Sequence, residues 1–451
     1  MKKVLAFCLA MATMTASMTA CSSPNGSTSS ASSATPKGEQ SVYYLNFKPE
    51  SAAAYEEIAK KYKEETGVTL NVVTAASGTY EQTLKAEIAK TDAPTLFQIN
   101  GPRGYASWKD YCADLKDTEL YKHLSDKSLA IKDGEGVYGV PYVVEGYGII
   151  YNQAIMDKYF KTSGAKASSI AEINSYAKLK AVAEDMTAKK DALGIKGVFS
   201  STSLKPGEDW RWQTHLANVP VYYEFKENKV DLTSDATKEI KFQYSDNFKN
   251  IFDLYLNNSI TPKNLLGTKQ VDDSMSEFAL GQTAMVQNGN WAWGQIEKVK
   301  GNTVKAEDVK FLPIYTGMPG EENQGLCIGT ENFFAINKQA SPEKQKAAED
   351  FIYWLYSSKT GKDFVTNKLN FIAPFDTFTE SEKPTDPLAK DLLNWMAKKD
   401  INTVPWNFTV FPSQTFKDNF GSALLQYAQG NKSWDDVKKL VVTEWKSESN
   451  Q

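Results

Sequence analysis

Residue types that commonly build metal and catalytic centres are scarce in this sequence. Its 451 residues include four cysteines and two histidines, His123 and His215, which lie far apart along the chain. No CxxC or HExxH spacing occurs, so a zinc site is not expected. Neither histidine accompanies the G-x-S-x-G turn of a serine hydrolase. We therefore expect no metal, no cofactor and no enzymatic activity.

A surplus of one charge is absent as well. The chain has 51 lysines and arginines against 55 aspartates and glutamates, a net charge of −4, with both signs interspersed. Nucleic-acid-binding proteins usually present a basic stripe, so no nucleic-acid partner is expected. The hydrophobic content of 41% and the charged content of 24% are ordinary for globular proteins. The length predicts two large domains.

Long hydrophobic runs are missing except at the N-terminus. After Lys2 and Lys3, residues 4–16 form an uncharged apolar run, shorter than the roughly 20 residues that span a bilayer. A short run behind positive residues is typical of a secretory signal. Ser17, Met18, Thr19 and Ala20 precede Cys21, and this segment resembles the lipobox of bacterial lipoproteins, in which Leu is usual at the position of Met18. The resemblance implies cleavage before Cys21 and acylation of its thiol, for example by palmitate; an ordinary secretion signal is the alternative.

The sequence around Cys21 predicts two segments that precede the folded body. Residues 1–20 are interpreted as a lipoprotein signal peptide. Residues 21–40, the lipid anchor and a Ser/Thr-rich linker, contain too few apolar side chains to form a core and are expected to be disordered. Cys112 and Cys327 remain in the body, where they either pair or stay free. A domain of this size does not need a disulfide, so we favour two free, buried thiols.

The body begins with strands that alternate with helices. Aromatic and β-branched content predicts strands over 42–47, 68–75 and 95–100, while helical periodicity predicts helices over 50–66 and 80–90. Such alternation predicts an α/β sheet with parallel pairing. Ligands gather at the carboxyl ends of the strands in these sheets.

The middle of the chain contains a candidate crossover between domains. Residues 137–145 and 149–152 have strand-like composition and flank the glycine-containing segment 146–148. Helices are predicted over 170–189 and 239–257. This arrangement suits a chain that leaves one domain and enters another.

Two serines mark the starts of later helices. Ser341 precedes Pro342, a residue that fits the first turn of a helix. Ser433 and Asp436 form an S-x-x-D start signal. Both sites predict helices in the last quarter of the chain.

Three segments resemble one protein family in the same order. Residues 277–293 look like its F-x-x-G-x-x-A-M-x-x-x-G-x-W block, residues 139–152 look like its G-x-P-Y…Y-N block, and residues 331–354 look like its closing strand-then-helix block. On these motifs the chain resembles the carbohydrate-binding subgroup of bacterial extracellular solute-binding proteins of ABC importers, to which maltodextrin-binding proteins belong.

The resemblance implies a two-lobed, periplasmic-binding-protein-like α/β fold with a hinge between the lobes. Lobe one is placed at 41–147 plus 309–370, and lobe two at 148–308 plus 371–451. The implied function is to bind a carbohydrate, expected to be an oligosaccharide, outside the cytoplasm and deliver it to ABC permease subunits by closing a cleft. We expect a monomer that Cys21 anchors to the outer face of the cell membrane.

Carboxylates and amides form hydrogen bonds with the hydroxyls of a sugar, and Trp or Tyr rings cover its flat C–H faces. Trp291 matches the family's ligand-contacting tryptophan and is the first choice as a stacking ring, with Trp293 assigned to the core. Arg103 either contacts ligand or caps a helix, and which of Trp210 and Trp212 faces the ligand is left open. The other candidates are Glu145, Tyr147, Asn100, Asn46, Lys48, Asn288, Phe416 and Trp406.

Two other functions fit part of the pattern. A secreted glycoside hydrolase also carries aromatic platforms, but it needs a pair of catalytic carboxylates, and Glu145 has no obvious partner in the sequence. The same fold can instead bind a peptide or a polyamine. The mixture of Asn, Glu, Lys and Trp among the candidates fits a neutral polyol better than a polyamine, which favours several acids around an aromatic box.

Overall fold

The structure is a computed structural model that describes residues 41–76 and 78–449. The predicted signal peptide, Cys21 and the linker lie outside the described residues. No helix within the described ranges has both the length and the apolar character that a membrane crossing requires.

The described strands form two separate sheets. They are β1 (Ser41–Asn46), β2 (Thr69–Thr74), β3 (Leu96–Asn100), β4 (Ile131–Asp133), β5 (Gly136–Pro141), β6 (Glu145–Asn152), β7 (Gly197–Phe199), β8 (Thr283–Gly289), β9 (Val309–Leu312), β10 (Gln324–Gly329), β11 (Asn332–Ile336) and β12 (Asn402–Pro405). Sheet one has the order β2-β1-β3-β11-β5-β4. Sheet two has the order β12-β10-β6-β8-β7, with β9 also paired to β6.

The predicted parallel pairing is confirmed for the first three strands. In sheet one, β1 pairs in parallel with β2 and β3, whereas β11 runs antiparallel to β3 and β5. In sheet two, β6 is antiparallel to β8, β9 and β10. The result is the mixed α/β fold that the alternation of strands and helices predicts, with one sheet in each lobe.

Helices cover both sheets. The α-helices are α1 (Ala52–Thr66), α2 (Tyr80–Ile88), α3 (Gly101–Trp108), α4 (Glu119–Lys122), α5 (Gln153–Phe160), α6 (Tyr176–Ala188), α7 (Lys190–Leu193), α8 (Ala217–Glu227), α9 (Ser245–Asn257), α10 (Val271–Ala279), α11 (Trp293–Ile296), α12 (Pro342–Ser357), α13 (Lys359–Asn367), α14 (Pro387–Met396), α15 (Gln414–Ala428) and α16 (Trp434–Glu448). A π-helical segment, Arg211–Leu216, leads directly into α8.

The two serine start signals are confirmed. The Ser341 hydroxyl accepts a hydrogen bond from the Lys344 amide at 3.4 Å at the start of α12. The Ser433 hydroxyl accepts one from the Asp436 amide at 3.2 Å at the start of α16. Each bond satisfies an amide that the first helical turn leaves without an intrahelical partner.

Both faces of each sheet are buried. This is seen from neighbouring residues on one strand, which pack into different hydrophobic clusters. Tyr44 and Leu45 of β1 belong to separate hydrophobic clusters, and so do Ile149 and Ile150 of β6. Side chains alternate across a strand, so the two clusters of each pair lie on opposite faces of its sheet. Each sheet is therefore the middle layer of its own helix–sheet–helix sandwich.

The glycine-containing segment 146–148 does not interrupt the strand. The structure instead continues β6 through Glu145–Asn152. A Cβ at Gly146 would lie 2.4 Å from Leu392 Cδ1, and one at Gly148 would lie 2.5 Å from the Leu312 carbonyl oxygen. These glycines let α14 and β9 approach the strand closely, which is one of the roles of glycine inside a sheet.

The predicted helix over 239–257 begins later than expected. The carboxylate of Glu224 accepts hydrogen bonds from the amides of Lys241 and Gln243 at 2.7 and 2.8 Å. Phe242 has φ 50°, a left-handed conformation that a helix cannot continue through. The helix α9 therefore begins at Ser245.

Sheet membership does not coincide with the predicted lobe limits. The strands β9 and β10 fall in the range placed in lobe one, yet both pair with β6 of sheet two. The chain passes from sheet one to sheet two between Pro141 and Glu145, a few residues before the predicted limit at 147. It returns between Gly329 and Asn332, and it passes to sheet two again between Ile336 and Asn402, where β12 begins.

The two cysteines of the body lie in different lobes. Cys112 belongs to a cluster against sheet one, and Cys327 lies on β10 of sheet two. Both thiols are free and buried, and burial raises the pKa of each to about 12. Such thiols stay protonated at neutral pH and are poor nucleophiles.

Candidate functional site

The strand ends of sheet one meet sheet two in a region that we call the junction. The backbones of the two lobes are close there: a Cβ at Gly101 would lie 2.8 Å from Thr409 Cβ, and one at Gly78 would lie 2.8 Å from the Gly207 carbonyl oxygen. Most of the predicted site residues lie at or beside this junction. The lobes are therefore in direct contact around the candidate site.

A buried ion pair joins the lobes at the junction. Lys48 follows β1, Glu145 begins β6, and Lys48 Nζ lies 2.8 Å from Glu145 Oε1 and 3.0 Å from Oε2. Lys48 and Glu145 are only 6% and 3% exposed. Burial lowers the pKa of Lys48, but the nearby Glu145 and Glu50 carboxylates outweigh it and hold that pKa above its ordinary value. The partner that the sequence did not reveal for Glu145 is thus a lysine.

Six rings form a group beside this ion pair, which we call the aromatic cluster. Its centre is His215, whose ring centroid lies 4.5 Å from that of Tyr147, 4.6 Å from those of Trp210 and Phe408, and 5.8 Å from that of Trp291. The sixth ring, Trp406, lies 6.0 Å from His215. Lys48 Nζ is 5.6 Å from the Trp291 ring, which connects the ion pair to the cluster.

The π-helical segment separates the two tryptophans that the sequence left ambiguous. Trp210 is half-buried, and its ring lies 5.9 Å from Trp291. Trp212 is 3% exposed and donates from Nε1 to the Ser203 carbonyl oxygen at 3.2 Å. Residues two apart on a helix point to nearly opposite sides. Trp210 therefore joins the aromatic cluster, and Trp212 is a core residue, against the prediction that included it in the site.

Trp291 is held by the glycine that precedes it by two positions. A Cβ at Gly289 would lie 2.2 Å from two carbon atoms of the Trp291 ring, so the ring packs directly on the glycine backbone. Between them, Asn290 Oδ1 accepts a hydrogen bond from the Gly146 amide at 3.0 Å. The Trp291 ring is half-buried at the junction, while Trp293 packs partly against the core cluster that contains Ile296.

Several other predicted residues have partners within the protein. The Asn46 amide donates to the Lys48 carbonyl oxygen and to Thr74 Oγ1, so it shapes the loop that carries Lys48. Tyr147 donates from its hydroxyl to the His215 carbonyl oxygen at 2.8 Å. Arg103 Nη1 donates to the Ser449 carbonyl oxygen at 3.4 Å, which ties α3 to the end of α16.

The remaining predictions divide between the junction and the core. Asn100 Nδ2 donates to Glu331 Oε1 at 2.6 Å, and Asn288 Oδ1 accepts from Arg211 Nε at 3.3 Å. Trp406 packs against the backbone of Gly329 at the return between the sheets. Phe416 is fully buried among the core rings of sheet two, including Phe420 and Trp445, which corrects its placement in the site.

Several buried polar atoms around the junction have no hydrogen-bond partner among the described residues. Buried polar groups are normally paired, so unpaired ones near one another need an explanation. A ligand that supplies donors and acceptors would satisfy them. They are Gln98 Nε2, Gln213 Oε1, Gln287 Oε1, Trp291 Nε1, Thr330 Oγ1, both side-chain polar atoms of Asn332, Trp406 Nε1 and Asn407 Nδ2.

Sequence reasoning missed three important junction residues. His215 was considered only for a metal site or a serine hydrolase, and burial lowers its pKa well below the ordinary value, so it acts as a neutral ring. Arg211 stacks its guanidinium 3.9 Å from the centroid of the Trp210 ring. Glu331 accepts the hydrogen bond that the Asn100 amide donates. A signal for the first two was their position beside Trp210 and Trp212, the tryptophan pair already assigned to the site.

The junction suits a neutral, hydroxylated ligand. It combines flat aromatic faces with amides, a paired ammonium and carboxylates, the groups that bind sugar rings and hydroxyls. Within the described ranges, no group of three or more His, Cys, Asp or Glu side chains is placed to hold a metal ion. The arrangement therefore favours binding through stacking and hydrogen bonds.

Comparison with known proteins agrees with this architecture. The solute-binding protein RafE in complex with raffinose superposes with a TM-score of 0.69 at 16% identity, covering 91% of this chain and 99% of RafE. A Bacillus licheniformis sugar transporter in complex with stachyose gives 0.66 at 17% identity, with 90% and 99% coverage. Maltose-bound MalE3 from T. maritima gives 0.65 at 16% identity, with the same coverage. At these identities the matches establish the fold.

The family is established by the sequence itself. Residues 57–391 match the family described as bacterial extracellular solute-binding protein. The matched range starts within α1, ends within α14 and includes the first two passages between the sheets. The chain belongs to the bacterial extracellular solute-binding protein family.

Proposed function

We propose that this protein captures an oligosaccharide outside the cytoplasm and delivers it to an ABC importer without altering it chemically. The observation that carries the proposal is the aromatic cluster, which places Trp210 and Trp291 rings beside buried amides and the Lys48–Glu145 pair. Stacking rings flanked by hydrogen-bonding groups are what a sugar ring with several hydroxyls requires. The bound sugars of the similar structures, raffinose, stachyose and maltose, support the same ligand class.

The proposed ligand-contacting set is chosen by position at the junction. Trp210 and Trp291 are the proposed stacking rings because both are half-buried at the junction. Trp406 offers an unpaired Nε1 at the same junction. Lys48, Glu145 and Asn100 are proposed to orient hydroxyls. Asn288 is proposed to act through Arg211, whose Nε donates to it, and Tyr147 and Asn46 support their neighbours. Arg103 is proposed as a contact between the lobes.

Closure of the two lobes is part of the proposal. Lobe one is built on sheet one, and lobe two on sheet two. We therefore place the lobe limits at the passages near residues 141–145 and 329–332 and at a third passage between β11 and β12. A ligand that contacts both lobes stabilises the closed arrangement by its greater affinity for it. The protein is proposed to act as a monomer that presents the closed, loaded form to the permease.

Cys21 is proposed to anchor the protein to the outer face of the membrane. The support is the uncharged run at 4–16 followed by small residues and Cys21. Detergent phase partition of the protein expressed in bacteria tests this. The wild type is expected in the detergent phase and a Cys21→Ser variant in the aqueous phase; partition of both into the aqueous phase would contradict the anchor.

A paired binding and turnover experiment tests the proposed function against a hydrolase. Purified protein is incubated with a panel of oligosaccharides, bound ligand is measured by equilibrium dialysis, and the sugars are then analysed by chromatography. We expect at least one sugar to be retained by the protein and recovered unchanged. Cleavage products would support a glycoside hydrolase, and retention of peptides or polyamines in place of sugars would change the ligand class.

A further inference from the structure

Arginine is exceptionally rare in this chain. Among its 51 lysines and arginines, only Arg103 and Arg211 are arginine. The two cations are not equivalent, because a guanidinium is a planar fork that binds two adjacent oxygens, whereas an ammonium is a compact point charge. A chain that uses lysine almost everywhere thus places one of its two guanidinium groups inside the aromatic cluster.

Arg211 is buried without a carboxylate partner. It is 5% exposed, and no ion pair links it to a carboxylate in the part of the chain that the structure describes. Burial lowers its pKa to about 10, so the side chain is still positively charged at neutral pH. The carboxylates of Glu208, Glu50 and Asp272 favour the charged form, but none of them forms an ion pair with the guanidinium. Burying a charge without a direct partner is costly.

The guanidinium has more donors than the described residues accept. Arg211 Nε donates to Asn288 Oδ1 at 3.3 Å and Nη1 donates to the Glu208 carbonyl oxygen at 3.3 Å. Five N–H groups are available on an arginine, so three have no acceptor among the described residues. The guanidinium carbon lies 3.9 Å from the centroid of the Trp210 ring, so this ring packs against the group that carries the donors.

Other unpaired polar atoms lie next to Arg211. Gln287 Nε2 donates to the Arg211 carbonyl oxygen at 2.8 Å, and Gln287 Oε1 has no partner within the described ranges. Trp291 Nε1 likewise lacks one, and its ring lies 5.9 Å from Trp210. A donor fork, an acceptor and an indole N–H are thus gathered beside two stacking rings.

We propose that Arg211 is a specificity-determining residue that binds a pair of adjacent ligand oxygens with its free N–H groups. Neighbouring hydroxyls of a neutral sugar present such a pair, and so does the carboxylate of a sugar acid. The Trp210 ring orients the fork, and Asn288 and Glu208 hold its inner edge. The assignment rests on the proposed function, because it names a contact within that same site.

Isothermal titration calorimetry with Arg211 variants tests the proposal. Wild type, Arg211→Lys and Arg211→Met are titrated with raffinose, maltotriose and trigalacturonic acid. Lys226→Met is the matched control, because Lys226 lies on the continuing helix α8 with its ammonium over the Tyr222 ring, 5.5 Å from the centroid, on the exposed surface. The Arg211→Lys variant keeps the positive charge but lacks the planar set of N–H donors. A loss of affinity in this variant therefore reports on the geometry of the guanidinium and not on its charge.

The expected result is that Arg211→Lys weakens binding of the preferred sugar by about 10- to 100-fold, the range for losing a charge-assisted hydrogen bond. Lys226→Met is expected to bind like wild type. A loss seen with a neutral sugar identifies neighbouring hydroxyls as the partner, and a loss confined to trigalacturonic acid identifies a carboxylate. Either result supports the proposal.

Thermal unfolding of the ligand-free variants completes the experiment. Unchanged affinity in Arg211→Lys, with or without a lower unfolding temperature, would assign Arg211 a structural role and overturn the proposal. If Arg211→Met does not fold, the affinity of Arg211→Lys alone tests the proposal. Absence of binding by the wild type to every oligosaccharide would overturn the proposed function itself, and the assignment of Arg211 with it.

Discussion

Lys48 and Glu145 form a buried ion pair that connects the two lobes at the point where the chain first crosses between them. Lys48 Nζ lies within 3.0 Å of both carboxylate oxygens, and Val144, the residue before Glu145, forms an isolated bridge with Ile372. The pair thus lies beside the hinge as well as beside the Trp291 ring. It can couple the position of one lobe to the ligand held by the other.

Removing one member of this pair is expected to destabilise the protein strongly. Lys48→Met leaves the Glu145 carboxylate buried without a counterion, whereas Glu145→Gln leaves the Lys48 ammonium with Glu50 alone, whose Oε1 lies 3.6 Å from Nζ. Lys48→Met is expected to lower the free energy of unfolding by about 3–5 kcal/mol, and Glu145→Gln by less, because Glu50 still faces the ammonium. The double variant is expected to lose less than the sum, because it leaves neither Lys48 nor Glu145 as a buried charge. Urea denaturation measures all four proteins, and strictly additive losses would argue against a coupled pair.

Gly289 is expected to be essential for the position of Trp291. Gly289→Ala introduces a Cβ that would lie 2.2 Å from the ring, so the ring must move. Loss of ligand affinity is expected with a shift in tryptophan fluorescence. The control is Gly294→Ala, where a Cβ meets no atom within 4 Å. Wild-type affinity in Gly289→Ala would show that Trp291 does not stack on the ligand.

The buried carboxyl of Asp209 is expected to make stability depend on pH. Asp209 is 4% exposed at the start of the π-helical region, and burial raises its pKa to about 7. The folded state therefore binds this proton more tightly than the unfolded state. Its contribution to stability is fully present below about pH 4 and is lost as the pH rises through about 7.

Asp209→Asn tests this contribution directly. The variant is expected to gain stability relative to wild type between pH 4 and pH 8, on the order of 3 kcal/mol. Comparing the two proteins at each pH subtracts the titration of the other acids, and the exposed Asp400→Asn serves as control. Parallel pH profiles of urea midpoints for Asp209→Asn and wild type would show that Asp209 is ionised in both states.

The framework of the fold could be predicted because local signals agreed with the tertiary structure. The strands before α1 and α2 have the aromatic and β-branched residues of buried strands, and Ser341 and Ser433 cap the helices that they were predicted to start. Gly146 and Gly148 misled the prediction, because their role is to admit Leu392 and Leu312 against β6. That requirement exists only in the packed structure.

The site was predictable by residue type and less so by orientation. The choice of Trp291 and Glu145 came from a family resemblance, and both lie at the junction. The choice between Trp210 and Trp212 depends on the direction of a π-helical turn, for which the sequence has no periodic signal. His215 and Arg211 act through contacts with residues more than 70 positions away, such as Trp291 and Asn288.

The two tryptophans of the π-helical region are expected to respond in opposite ways to truncation. Trp212→Ala removes a core ring that packs against Phe252 and Tyr255, so unfolding should become easier by about 3–5 kcal/mol. Trp210→Ala should cost less stability and more affinity, since its ring is half-buried at the junction. Chemical denaturation and calorimetry on both variants separate the effects. Equal affinity losses with equal destabilisation would contradict the assignment.

Titration of the mature protein with oligosaccharides, alongside Trp291→Ala, tests whether the protein binds a sugar on the Trp291 ring. Calorimetry is expected to show one site per chain with a dissociation constant on the order of micromolar or tighter for at least one sugar. Truncation of Trp291, a central ring, is expected to weaken that binding by about 2–4 kcal/mol. The absence of heat with every sugar would contradict sugar binding by this protein. An unchanged dissociation constant in Trp291→Ala would contradict stacking of the ligand on Trp291.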